Sequence, residues 1–282
     1  MPPSLAELDR YTRLAPALRI YRGLFRQLLR AKRVTPLPLT LKRRPRVLIV
    51  GIYLADRPNT AAHLAKSFAA SRLLELEQCW AAMLGSEAAP ELKRVTTKVY
   101  PDGKPKFPAI NELIAEKNLN DYDFVVVCDD DIVVPLGFID AYITTQIASG
   151  LAIAQAARTP SSCGSKPVTI RERGTLARQT RFVEIGPLFS LSSVLFDELL
   201  PFDESNPMGW GFDYHWPLIA EAKALQIGII DRTPVDHSLR PLASAYSGEG
   251  AKADMNAYLA RNRHLTRQEA ELTLRRLVLP KT

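Results

Sequence analysis

The chain has 282 residues, 46% hydrophobic and 24% charged, with a net charge of +7. These values exclude a disordered or fibrous chain and fit a globular protein of one large domain or two small ones. No run approaches 18 consecutive apolar residues, so no transmembrane span is expected, and three distant cysteines (Cys79, Cys128, Cys163) exclude a disulfide framework or a C-x-x-C zinc site.

The positive charge is concentrated at the start. Residues 1–46 hold twelve Lys/Arg against Glu7 and Asp9, a net +10, which leaves −3 for the remainder. No nucleic-acid motif accompanies that charge, so nucleic acid is not an expected partner. Residues 10–33 predict an amphipathic helix: Leu14, Leu18, Tyr21, Phe25 and Leu28 form a stripe, and Arg19, Arg22, Arg26 and Arg30 lie off it. Two roles fit such a helix. It packs its stripe on the domain with its arginines in water, or it lies on an anionic membrane surface. Pro36, Pro38 and Lys42-Arg43-Arg44-Pro45-Arg46 read as a basic linker, which sets residues 1–45 apart. The first residues lack a secretory signal, and cysteine usage fits a reducing compartment. A cytoplasmic location is expected, peripheral at the inner face of the membrane if the helix binds there.

From Arg46 the pattern alternates between strand and helix. Strands are expected at Val47–Tyr53 and Val95–Tyr100, with a loop at 54–59 and a long helix over Thr60–Leu84 between them. A turn at 101–105 and a short helix at Phe107–Lys117 follow. Phe124–Cys128 is an unbroken, β-branched-rich run, as in a strand covered on both faces. A helix near Leu136–Ser149 and a strand at Leu151–Ala157 come next, and Thr159–Arg181 reads as a mobile loop. This alternation predicts a mainly parallel α/β sheet with ligands at the carboxyl ends of its strands. No Walker-type or G-x-G-x-x-G sequence occurs.

Asp129-Asp130-Asp131 stand at such a strand end. Alternation puts Asp129 and Asp131 on one side and Asp130 on the other, an Asp-x-Asp pair suited to a hard cation and its phosphate ligands; a solvated acidic loop is the simpler alternative. Further on, Phe182-Val-Glu-Ile185 leads a strand, and Gly209-Trp-Gly-Phe-Asp213 places a carboxylate behind a glycine loop. There Asp213 suits a general base beside a cavity walled by Trp210 and Trp216, or a helix N-cap. Ile227–Ile230 is another apolar strand, ending toward Asp231 and Asp236-His237, where His237 offers a nitrogen ligand.

The order of these segments resembles glycosyltransferases of the GT-A fold. A closer resemblance, over roughly residues 120–248, is to the uncharacterised family called domain of unknown function 707, itself GT-A-like. The resemblance implies a single GT-A-like domain over residues 46–250, with a nucleotide-binding half (46–135) and an acceptor half (136–250), followed by a helical tail (251–282). It implies Mn2+ or Mg2+ bridging the phosphates of a nucleotide-diphosphate sugar, with Asp131 and His237 as ligands and Asp129 beside them or on the ribose. Asp56, Arg57, Asn111 and Asp130 are implied near the donor, with Lys104 and Lys106 either near it or solvated on the surface. Trp210, Gly211, Glu184 and Trp216 are implied near a glycan or lipid-linked acceptor. Asp213 looks like the catalytic base of inverting members such as the β-1,4-galactosyltransferases, although Tyr214 stands where those enzymes carry a further acidic residue. A nucleotidyltransferase on the same acidic site, or a catalytically silent carbohydrate- or lipid-surface-binding module, are the alternatives.

Overall fold

The computed structural model describes residues 16–162, 166–241 and 246–278, with side chains from residue 21 onward. Helix α1 (Pro16–Ala31) leads into an extended arm. The arm is stitched to the body by Val34 N donating to Leu136 O and Leu136 N donating to Lys32 O. Of the expected apolar stripe, Leu14 and the side chain of Leu18 lie outside the described residues. Tyr21 and Leu28 are 60% and 63% exposed, and Leu24 beside them is 56% exposed. Leu29 is the buried residue, and Arg26 reaches the body through the carbonyl and hydroxyl of Ser238. Of the two roles open to this helix, inward packing of the stripe does not hold for Tyr21 and Leu28.

Beyond the arm come β1 (Arg46–Leu54), α2 (Ala61–Ala69), β2 (Glu75–Met83), β3 (Thr96–Tyr100), α3 (Lys106–Ala115), β4 (Phe124–Cys128), α4 (Phe138–Ser149) and β5 (Leu151–Arg158). The second half holds β6 (Ala177–Thr180), β7 (Leu188–Ser192), α5 (Phe196–Leu199), α6 (Phe212–Ala222), β8 (Gln226–Val235), α7 (Gly248–Arg261), α8 (Arg267–Ala270) and β9 (Thr273–Leu277). Among the described residues they build one nine-stranded sheet in the order β3-β2-β1-β4-β7-β5-β8-β6-β9. β1–β5, β8 and β9 run one way, and β6 and β7 run against them. A mainly parallel α/β sheet is therefore what the chain forms.

The sheet is covered on both faces, which is why its central strands are apolar throughout. Leu48, Val50, Val125 and Val127 pack with Phe107, Ile110, Phe212, Trp216 and Tyr258 from α3, α6 and α7. The alternate residues Val47, Ile49, Phe124, Val126 and Cys128 pack with Leu64, Phe68, Phe138 and Tyr142 from α2 and α4. Cys79 and Cys128 are buried and free. No described helix is long and apolar enough to cross a membrane.

Four local expectations are corrected. The helix expected over Thr60–Leu84 ends at Ala69, and its second half is β2, fully paired with β1 from Arg46↔Glu75 to Leu54↔Met83. Its helix-forming composition (Glu, Gln, Ala, Leu, Met) is overridden by burial between β1 and β3. The break is fixed by Asp140, whose carboxylate accepts from Ser71 Oγ at 2.5 Å and Arg72 N at 3.0 Å. The stretch read as a loop over Thr159–Arg181 contributes β6, while Cys163 lies outside the described residues. Phe182–Ile185 is irregular, with the strand starting at Leu188. The tail expected to be helical ends in β9, an edge strand on β6.

Candidate active site at the ends of β4 and β8

The three aspartates follow β4 directly, and each is held differently. Asp129 Oδ1 lies 2.7 Å from Lys106 Nζ, which also donates to Ile185 O at 3.1 Å. Lys106 is buried at the start of α3, so the solvated-surface alternative does not hold for it. Asp130 turns back into the body, where its carboxylate accepts from Leu54 N at 2.8 Å and from the Arg240 guanidinium. Burial pushes the Asp130 carboxyl up to about 6 against the pull of Arg240. Its carbonyl accepts from Thr60 N and Oγ1 at 2.6 and 2.7 Å, tying the loop after β1 to the acidic turn. Asp131 Oδ1 lies 3.1 Å from His237 Nε2, with Arg240 Nη2 3.5 Å from its other oxygen. Burial raises the Asp131 pKa, but the nearby His237, Arg240 and Lys106 outweigh it and the carboxyl stays below its ordinary value.

His237 sits just past β8. Its backbone N–H donates to Ser162 Oγ at 2.9 Å, and its Nδ1 is buried without a hydrogen-bond partner among the described residues. Asp236 is a positioning group: it accepts from Thr159 Oγ1, Ser161 Oγ and Ser238 Oγ at 2.9, 2.6 and 2.5 Å. Asp231 is structural, buried in a two-point contact with Arg178 at 2.8 and 3.0 Å.

The second group of acids, Glu184 and Asp213, lies in the second half of the chain. Gly209 and Gly211 adopt φ +72° and +99°, which L side chains rarely accept, and Gly211 begins α6. That turn delivers Asp213 to the first turn of α6. The residue keeps partial exposure, but Oδ1 is sealed from solvent with no hydrogen-bond partner among the described residues. Burial, reinforced by the charge of Glu184 and opposed by Lys166, pushes its carboxyl up to about 7. Glu184 is held by the buried Arg158, 2.5 Å away, and its N–H donates to Gln155 Oε1. Trp210 Nε1 donates to Tyr246 Oη at 3.1 Å. Burial raises the Tyr246 pKa, and the charges of Asp129, Asp131 and Glu184 raise it further.

Other expected residues fall elsewhere. Trp216, expected to wall the cavity, is in the core, stacked on Phe212 at 4.9 Å and Phe202 at 5.6 Å. Asn111, expected near the donor, is a buried bracket whose amide binds Phe202 N and O, both at 2.8 Å. Lys104 is taken by Glu112. Asp56 and Arg57 pair with each other at 2.7 Å on the loop after β1, near enough to Arg240 and Asp130 to feel their charges. Arg240 and Tyr246 were not foreseen. The only signal for Arg240 is its place three residues after Asp236-His237.

A hard cation of Mg2+ type keeps bonds of about 2.1 Å, so adjacent ligands stand about 3.0 Å apart. The 3.1 Å between Asp131 Oδ1 and His237 Nε2 is the length of a direct hydrogen-bonded ion pair, and it is also compatible with two adjacent positions around such a cation. Among the described residues no group of three His, Cys, Asp or Glu side chains is arranged to hold a metal alone.

The fold is that of GT-A-type glycosyltransferase structures. GalNAc-T7, solved with UDP, GalNAc and Mn2+, superposes with a TM-score of 0.51 at 9% identity, over 87% of this chain and 57% of that one. S. aureus TarS 1–349, solved with UDP-GlcNAc, superposes with a TM-score of 0.51 at 11% identity, over 80% of this chain and 69% of that one. The chain thus spans little more than half the length of the first. At these identities the likeness is one of fold. No protein-family model and no curated protein sequence matches the chain.

Proposed function

We propose that this chain transfers a sugar from a nucleotide-diphosphate donor to a hydroxyl acceptor. The carrying observation is the Asp131–His237 contact, with 3.1 Å between the two groups at the carboxyl ends of the strands in this fold. Both neighbours were solved with a uridine nucleotide and one with Mn2+, which supports the reading. Asp131 and His237 would hold Mn2+ or Mg2+, and that cation would neutralise charge growing on the departing diphosphate. Lys106 fixes Asp129, and Arg240 fixes Asp130, so these carboxylates shape the donor site. Asp56 and Arg57 stand where the nucleoside enters. Kinship with domain of unknown function 707 rests on the motif order alone.

Asp213 is the base. Its raised pKa lets the carboxylate take a proton from an acceptor hydroxyl near neutral pH, which gives inversion at the anomeric carbon. Trp210, Gly211 and Glu184 flank it on the acceptor side. The reading of a nucleotidyltransferase needs a basic triphosphate cradle by β1, and Arg57 there is paired with Asp56.

An acceptor at an anionic membrane surface is part of this reading. Tyr21, Leu24 and Leu28 form an exposed apolar face on α1, within a segment of net +10, and Arg26 links that helix to Ser238 beside His237. The testing experiment is release of nucleotide diphosphate from a panel of sugar nucleotides with Mn2+, in wild type and Asp213→Asn. Release by wild type alone is the expected result. No release from any donor with any metal would favour the silent binding module.

A further inference from the structure

A cavity of about 300 Å3 lies away from the aspartates, between the arm after α1, residues 171–176 and β8. Arg33, Arg171 and Arg232 line it, together with Thr35 and Thr175, and among the described residues no carboxylate does. The acids nearest in sequence are engaged elsewhere. Asp231 is held by Arg178 and by Glu172 N, and Glu172 lies 2.5 Å from Arg276. Arg33 and Arg171 form no ion pair among the described residues, and Arg171 Nε is buried there without an acceptor. Arg232 is pre-oriented, since its Nε and Nη2 both donate to Thr35 O, at 3.1 and 2.8 Å.

Three like charges around one hollow favour an anion among them, most strongly where burial limits screening by water, as at Arg171 Nε. Guanidinium is also the side-chain cation best matched to phosphate, through its planar, bidentate donors and weak hydration. We infer that this cavity is a second, phosphate-binding site, sharing no residue with the candidate active site. Among the described residues the lining has no aromatic side chain to stack a base, so the ligand is a phosphate ester without a nucleobase contact. Its source is a soluble phosphate ester or a lipid headgroup, and both present the same group. An occupant would bridge the arm, the 171–176 segment and β8, and would thereby fix the end of α1 on the body. None of this depends on the transferase reading.

The test is thermal unfolding of the full chain in sodium phosphate against sodium chloride at equal ionic strength. It is paired with pelleting on phosphatidic acid and phosphatidylcholine vesicles. Wild type and Asp131→Ala are expected to gain a phosphate-specific rise in Tm. Arg33→Ala, at an exposed position, and Arg171→Ala are expected to weaken the apparent affinity about 10-fold or more. A phosphate-specific rise that both arginine variants weaken, with vesicle binding that they leave unchanged, assigns a soluble ester, since α1 alone accounts for that binding. Vesicle binding lowered in both arginine variants assigns the headgroup. No phosphate-specific rise together with vesicle binding unchanged in both variants, a rise that both variants retain, or a phosphate effect lost in Asp131→Ala would overturn the site.

Discussion

Lys106 Nζ stands 2.7 Å from Asp129 Oδ1, joining the first turn of α3 to the end of β4. Only 8% of the lysine side chain is exposed, so this cation has little water to fall back on. Removing one partner leaves the other charged and poorly solvated, which in buried pairs costs about 3 kcal/mol or more. Lys106→Met is therefore expected to lower stability strongly. Lys106→Met combined with Asp129→Asn is expected to recover much of the loss. Urea denaturation of the single and double variants checks this, and additive losses would show that the pair is not coupled.

Asp213 gives a pH dependence with two opposite signs. Its folded pKa of about 7 lies above the ordinary 3.8, so between those values the folded chain holds a proton that the unfolded chain has lost. Stability from this group falls as pH rises through that window. Activity as a base rises through about pH 7, because only the carboxylate accepts a proton. Asp213→Asn is expected to lower kcat about 100-fold or more while raising Tm at pH 8 relative to wild type. A variant that loses both activity and stability would assign Asp213 a structural role.

The outward face of α1 should be separable from the fold. Leu24→Glu with Leu28→Glu places charge at two exposed positions, so Tm is expected to be unchanged. Flotation with anionic liposomes is expected to fall sharply, since both the apolar insertion and the attraction to lipid are reduced. Flotation equal to wild type would remove the membrane from the account of the acceptor.

Gly209 is expected to tolerate no side chain. It holds φ +72°, and an added Cβ would stand 2.1 Å from a ring carbon of the buried Phe107. Gly209→Ala combines backbone strain with overpacking and is expected to cost about 2 kcal/mol or more. Thermal unfolding checks this, and a Tm within a degree of wild type would contradict it.

The strands that form the middle of the sheet were legible because their composition has one physical reading. Phe124–Cys128 and Val47–Tyr53 are too apolar and β-branched for anything but a doubly covered strand, and the acids after Cys128 mark where the strand ends. β2 was illegible because Glu, Gln, Ala and Met favour helix and only pairing with β1 and β3 decides otherwise. Lys106 was ambiguous because nothing local distinguishes a lysine facing a carboxylate from one facing water. Trp216 was misplaced although the spacing of Phe212, Trp216 and Ala220 marks one buried helix face. Arg240 depends on a contact with Asp130 across 110 residues, which no local pattern encodes.

The most direct measurement is thermal unfolding with UDP, GDP, ADP, dTDP and CDP, with and without Mn2+, on wild type and Asp131→Ala. One nucleotide is expected to stabilise wild type only with metal, by about 2.7 kcal/mol at one hundred times its Kd. Asp131→Ala is expected to show no such gain. Stabilisation by no nucleotide, or an equal gain in Asp131→Ala, would contradict a donor site built on Asp131 and His237.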